Sequence, residues 1–159
     1  MKPAVRTSRV RTDVPAVSII REFNASPEHV WRAWTDPAHF AQWFGPQGYS
    51  GVVDHMDVRK GGTFRFGMKG PDGNVIWSRG SYHEVKPFER LVYHEHEDGS
   101  DPSGTQPTWH LVISLTFEAI PKGTRMTMEQ LGWPNEEWRS MAEGIWSQAF
   151  AKLAASLTS

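Results

Sequence analysis

A chain of 159 residues with 17 Lys and Arg against 18 Asp and Glu, a formal net charge of -1, has no bulk positive field to recruit nucleic acid, and no nucleic-acid recognition motif occurs in it. The absence of cysteine excludes disulfides, thiolate nucleophiles and thiolate zinc sites and suits a reducing cytosol. No run approaches the roughly 18 apolar residues of a membrane span and no apolar segment follows the N-terminal charges, so a cytoplasmic single-domain protein is expected, with neither membrane nor nucleic acid as partner.

Residues 1–13, MKPAVRTSRVRTD, carry Lys2, Arg6, Arg9 and Arg11 without periodicity and read as a flexible basic arm ahead of a domain over 14–159. VPAVSIIREF, 14–23, is β-branched and half-alternating, as a first strand should be. Ser26-Pro27-Glu28 supplies an N-cap, a first-turn proline and an acidic first turn for a helix through Val30, Ala33 and Trp34. Asp36-Pro37 repeats the signal for a second short helix, AHFAQWF, which ends at Gly45-Pro46.

Strand signals follow for about ninety residues. VVDHMDV (52–58), TFRFGMK (63–69), VIWSRGSYHEV (75–85), RLVYHEHE (90–97), TWHLVISLTFEAI (108–120) and TRMTMEQL (124–131) are separated by KGG, GPDGN, KPFE, DGSDPSGTQP and PKG, each a turn by composition. The alternation is clearest where Trp109, Leu111, Ile113, Leu115 and Phe117 share one face and Thr108, His110, Ser114 and Thr116 the other. Asn135-Glu136-Glu137 then opens a long helix with a stripe of Ala142, Trp146, Ala149, Phe150, Leu153 and Leu157. The predicted fold is α+β: a curved, antiparallel, seven-stranded sheet around a long C-terminal helix, with two short helices after strand one and space left between sheet and helix.

The segment DVRKGGTFRFGMKGPDG lacks both the following helix and the Lys-Ser/Thr of a phosphate loop, so it is a hairpin in which Asp57 and Arg59 pair with each other or with turn amides and the glycines supply positive φ. His94 and His96 share a strand face with His110 one strand away, but Leu91, Tyr93 and Glu95 have the opposite parity. The histidines therefore point outward, and no metal site is expected. The same parity sends Glu95, on the face of Leu91 and Tyr93, and Gln130, on the face of Met126 and Met128, toward the interior, where polar groups need partners. Trp77 and Tyr82 resist assignment; the opposite parity of Tyr82 and Val85 implies a bulge.

Read together, FNASPEHVWRAWTDPAHFAQWFGP (23–46), VDHMDVRKGGTFRF (53–66), GPDGN (70–74), RGSYHEVKPFERLVY (79–93), LTFEAIPKGTRMTM (115–128) and WSQAFAKLAASL (146–157) resemble the SRPBCC superfamily of START-like, helix-grip proteins. The resemblance is to the branch named for homologues of the heat-shock protein ATPase activator. It implies a helix-grip domain with an internal cavity, in a superfamily that binds hydrophobic molecules and includes a few enzymes and a co-chaperone. One departure concerns the cavity: where relatives often place Gly directly before WSQAF, this chain has Ile145, with Gly144 one residue earlier.

The expected function is binding of a small hydrophobic or aromatic molecule between sheet and C-terminal helix. Phe40, Trp43, Phe66, Tyr93, Trp109, Met141 and Ile145 are expected to line the pocket, with Glu95 and Gln130 as polar contacts. The DGSDPSGTQP loop is a candidate cover for its opening. No catalytic residue and no cofactor is assigned. An enzyme of cyclase or hydrolase type would use Glu95 as acid or base, and a co-chaperone would act on a chaperone ATPase as its partner protein. Monomer and homodimer are both compatible with the sequence.

Overall fold

Local capping chemistry sets the first half of the molecule. In the computed structural model, which describes residues 16–97 and 109–158, β1 (Val17–Phe23) leads into α1 (Pro27–Thr35) and α2 (Pro37–Trp43). Ser26 accepts a hydrogen bond from the His29 backbone N–H at 3.2 Å, and Pro27 follows at a position where its missing N–H costs nothing. Asp36 ends α1 and caps α2, accepting from the Ala38 N–H at 3.2 Å. Gly45, at φ +97°, then turns the chain away from the helix. The expected arm at 1–13 and the DGSDPSGTQP loop lie outside the described residues.

The remaining strands are β2 (Ser50–Met56), β3 (Thr63–Lys69), β4 (Val75–Lys86), β5 (Arg90–Glu97), β6 (His110–Ile120) and β7 (Gly123–Leu131), before α3 (Glu136–Leu157). They form one seven-stranded sheet in the order β1-β7-β6-β5-β4-β3-β2, every neighbouring pair antiparallel. β2 to β7 is thus the meander expected from the sequence, and β1 docks on its last strand. Because β1 and β2 are opposite edges, α1 and α2 make a connection from one edge of the sheet to the other. The sheet curls as a half-barrel, with α3 along its concave face.

The β2–β3 turn is the predicted hairpin, with Arg59 Nε 2.9 Å from Asp57 Oδ2. Only Gly61 of the glycine pair has a positive φ, +84°. Gly62 is needed for a different reason: a Cβ there would lie 2.0 Å from the Asp57 carbonyl oxygen. The bulge implied around Tyr82 is also present, as a register shift between Tyr82 and Glu84 that lets Val85, of opposite parity, pair with Leu91 on the same inward face as Tyr82, which is 2 % exposed. Trp77 is on the outer face, half-buried, with the Arg65 guanidinium 3.9 Å above its ring.

Packing divides the concave face into two halves. Under α1 and α2, Trp34 and Trp43 lie edge to face at 4.7 Å, and both meet Phe150 of α3, at 6.0 and 6.1 Å. Their indole N–H groups are satisfied, Trp43 by the Ala33 carbonyl at 2.9 Å and Trp34 by Met126 Sδ at 3.3 Å. Phe40 packs on Phe66 at 4.8 Å, and Phe66 continues to Phe64, whose ring meets Tyr93 at 5.3 Å. This half is solid. Lys152 ties α3 to the chain after α2, donating to the Gly45, Pro46 and Tyr49 carbonyls at 3.1, 3.2 and 2.7 Å.

Candidate ligand-binding site

Beside the N-terminal half of α3 the concave face is not filled. A cavity of about 180 Å³ lies there, bounded on the helix by Trp138, Met141, Ala142, Ile145, Trp146 and Ala149. The sheet side contributes Met68, Ile76, Ser78, Glu95 and Gln130, with Trp109 at the start of β6. Phe44 and Gly45 close it from the chain after α2, and Trp133 from the segment joining β7 to α3. Met141 is 51 % exposed, and Trp133, Trp138 and Ile145 are half-buried, which puts the route to solvent at this end.

Strand register explains how polar groups reach this apolar space. Tyr82, Tyr93, Ile113, Gln130 and Val17 form one row across β4, β5, β6, β7 and β1, and Gly80, Glu95 and Leu111 form the next row of inward residues. Gln130, 3 % exposed, accepts at Oε1 from the indole N–H of Trp133 at 2.8 Å and of Trp146 at 3.1 Å. Indoles only donate, so these two bonds fix which end of the amide faces them. One side chain of the sheet thus holds two rings of the cavity wall, one on α3 and one just ahead of it.

Glu95 is 9 % exposed. Burial raises its pKa from the ordinary 4.5 to about 7, opposed by a hydrogen bond from Ser78. Tyr93 beside it is pushed well above the usual tyrosine range by burial, then by Glu95 and Tyr82. Its hydroxyl is buried with no hydrogen-bond partner among the described residues.

A carboxyl whose folded pKa is raised holds its proton more tightly when folded than unfolded. Its contribution is therefore fully present below the unfolded pKa and is lost as pH rises through the folded value. Stability should thus fall between about pH 4.5 and about pH 7, by up to about 3 kcal/mol from this group. Glu95→Gln is expected to flatten that slope in urea unfolding midpoints measured across the range. An unchanged slope in the variant would show that Glu95 titrates normally in the folded state.

Of the residues expected to form the site, Trp109, Gln130, Glu95, Met141 and Ile145 line this cavity. Phe40, Trp43, Phe66 and Tyr93 do not; they are 0 to 2 % exposed and belong to the solid half of the concave face. The reason is the crossing of α1 and α2, which fills that half with rings the sequence pattern could place inside but not along the sheet. Ile145 does put a side chain into the wall, as its substitution for glycine suggests. Sequence reasoning missed Trp133 and Trp138 as wall residues because they flank the start of α3, outside both the strand alternation and the helix stripe. Trp146 was visible, but only as packing.

The outward histidines gather on the opposite face. His94 stacks on His83 with ring centroids 3.6 Å apart, and His94 Nδ1 is 3.4 Å from His110 Nε2. Burial, then His83 and His110, lowers the pKa of His94. Among the described residues no group of three or more His, Asp or Glu is arranged to hold a metal ion, and no helix is long and apolar enough to cross a membrane.

Residues 24–158 match the family model described as activator of Hsp90 ATPase homolog 1-like protein. Among solved structures, a Chromobacterium violaceum protein is 26 % identical with a TM-score of 0.81, over 89 % of this chain and 96 % of that one. A Mesorhizobium loti protein is 25 % identical with a TM-score of 0.70, over 91 % and 97 %. An AHSA1 protein from Silicibacter pomeroyi, at 23 % identity and a TM-score of 0.76 over 91 % and 98 %, shares the fold. No curated protein matches the chain in sequence.

Proposed function

Because the chain belongs to the activator of Hsp90 ATPase homolog 1-like family, whose members generally have a hydrophobic ligand-binding cavity, we propose that it binds a small hydrophobic, aromatic molecule between α3 and the sheet. The observation that carries this reading is the 180 Å³ space walled by Phe44, Trp109, Trp133, Trp138 and Trp146 in a molecule otherwise packed with rings. An engineered cavity of about 150 Å³ in another protein takes up benzene, so one ring with a short substituent fits here. The polar groups at the wall, Ser78, Glu95 and Gln130, are few and fixed, as in sites where apolar contact supplies affinity and a few polar groups supply orientation.

The test is a tryptophan-fluorescence titration against single-ring and two-ring aromatic compounds and short acyl compounds. A saturable change with some of the single-ring members is expected, because the walls themselves are the chromophores. Silence across the whole set would move the reading to a protein partner, for which stimulation of a chaperone ATPase is the assay.

A further inference from the structure

The charge at the cavity wall gives its occupant a sign. Among the described residues that line it, Glu95 is the single ionisable side chain; β3 presents Met68, β4 Ile76 and Ser78, β7 Gln130, and no Lys, Arg or His reaches it from any element. An anionic ligand finds no counter-charge. Of the four wall indoles, Trp133 and Trp146 already have their N–H groups held by Gln130 Oε1, at 2.8 and 3.1 Å. The faces of aromatic rings, by contrast, carry the negative part of the quadrupole and attract cations, most strongly in tryptophan and away from water. Trp133 and Trp138 lie with their planes 9° apart and Trp109 beside them, 5.9 Å from Trp133, so the half-buried end of the cavity is rich in indole.

Resting on the reading of this cavity as a ligand site, we propose that its ligand is an organic cation: an amine on a small, single-ring apolar body, its ammonium against the Glu95 carboxylate and its body among the indoles. The titratable group beside Glu95 is Tyr93, with Tyr82 next to it in turn, and burial keeps both phenols protonated and neutral. Without a cation the Glu95 carboxylate is buried beside no positive charge, and its pKa stands at about 7. An ammonium beside it favours the ionised form. Near neutral pH the exchange is therefore protonated Glu95 plus a free ammonium ion going to an ion pair, with one proton released to solvent by the fraction of Glu95 that held it.

The experiment uses benzylamine, benzyl alcohol and benzoate, three probes with one ring and different charge, titrated by calorimetry into the full chain. At about pH 8 the amine is expected to bind at least about tenfold more tightly than the alcohol, with no binding of benzoate. At about pH 5.5 that preference should shrink about tenfold, since Glu95 must then be ionised at a cost, and heats near neutral pH should depend on the buffer because a proton is released. Glu95→Gln should bring amine affinity down to that of the alcohol measured in the same variant. If that variant does not fold, the buffer dependence in the wild type carries the same information. Alcohol binding equal to amine binding at about pH 8 would overturn the cation assignment and leave the ligand site standing, whereas binding of none of the three would overturn both.

Discussion

Gln130→Met is expected to destabilise the protein by about 1–3 kcal/mol, because it removes one acceptor shared by two indoles and leaves the N–H of Trp146 buried without a partner. Trp133 is half-buried and can recover a hydrogen bond from water, so most of the cost falls on Trp146. The substitution nearly conserves volume, which separates the polar effect from any packing defect. Urea unfolding followed by tryptophan emission measures it directly. A midpoint unchanged from wild type would mean that the two bonds do not contribute net stability and that the cavity wall is held by packing alone.

Ala142→Leu should act oppositely on stability and binding. Ala142 is 5 % exposed, faces the cavity from α3, and sits on a helix that leucine suits nearly as well as alanine. Adding three carbons there fills empty space, so stability is expected to hold or rise by up to about 2 kcal/mol. Affinity for a single-ring ligand should fall by about tenfold or more, since the added atoms occupy the ligand's volume. Both readouts matter: lost binding with retained stability identifies the space as the ligand's, and a loss of stability above about 1 kcal/mol would show that the cavity is too small to accept the side chain without strain.

Much of the fold was legible in the sequence because its signals are local. Ser26, Asp36 and Asn135 each precede a helix and each accepts a hydrogen bond from a first-turn N–H, at 3.2, 3.2 and 2.9 Å. Strand parity is equally local, and it put Glu95 and Gln130 inside and His94 and His110 outside. What parity cannot give is position along the concave face. Phe66, Tyr93 and Trp109 all point inward by the same rule, yet Phe66 and Tyr93 meet the rings under α2 while Trp109 faces the open space. That distinction depends on where α1 and α2 land after crossing the sheet, a long-range packing outcome. Trp133 and Trp138 escaped for a related reason, since their place in the wall comes from contacts between the two ends of a short connection, Gln130 on one side and α3 on the other.

The distribution of tryptophan supplies an internal control for the central claim, that α3 and the sheet enclose a space which takes a ligand. Of the eight tryptophans, Trp109, Trp133, Trp138 and Trp146 wall the cavity, while Trp31, Trp34, Trp43 and Trp77 lie in the solid half or on the outer face. The decisive measurement is a two-dimensional 1H–15N spectrum of the indole N–H groups during titration with benzylamine or benzyl alcohol. Saturable shifts of the four wall resonances, and none of the other four, are expected. Shifts spread evenly over both sets, or confined to Trp31, Trp34, Trp43 and Trp77, would contradict it.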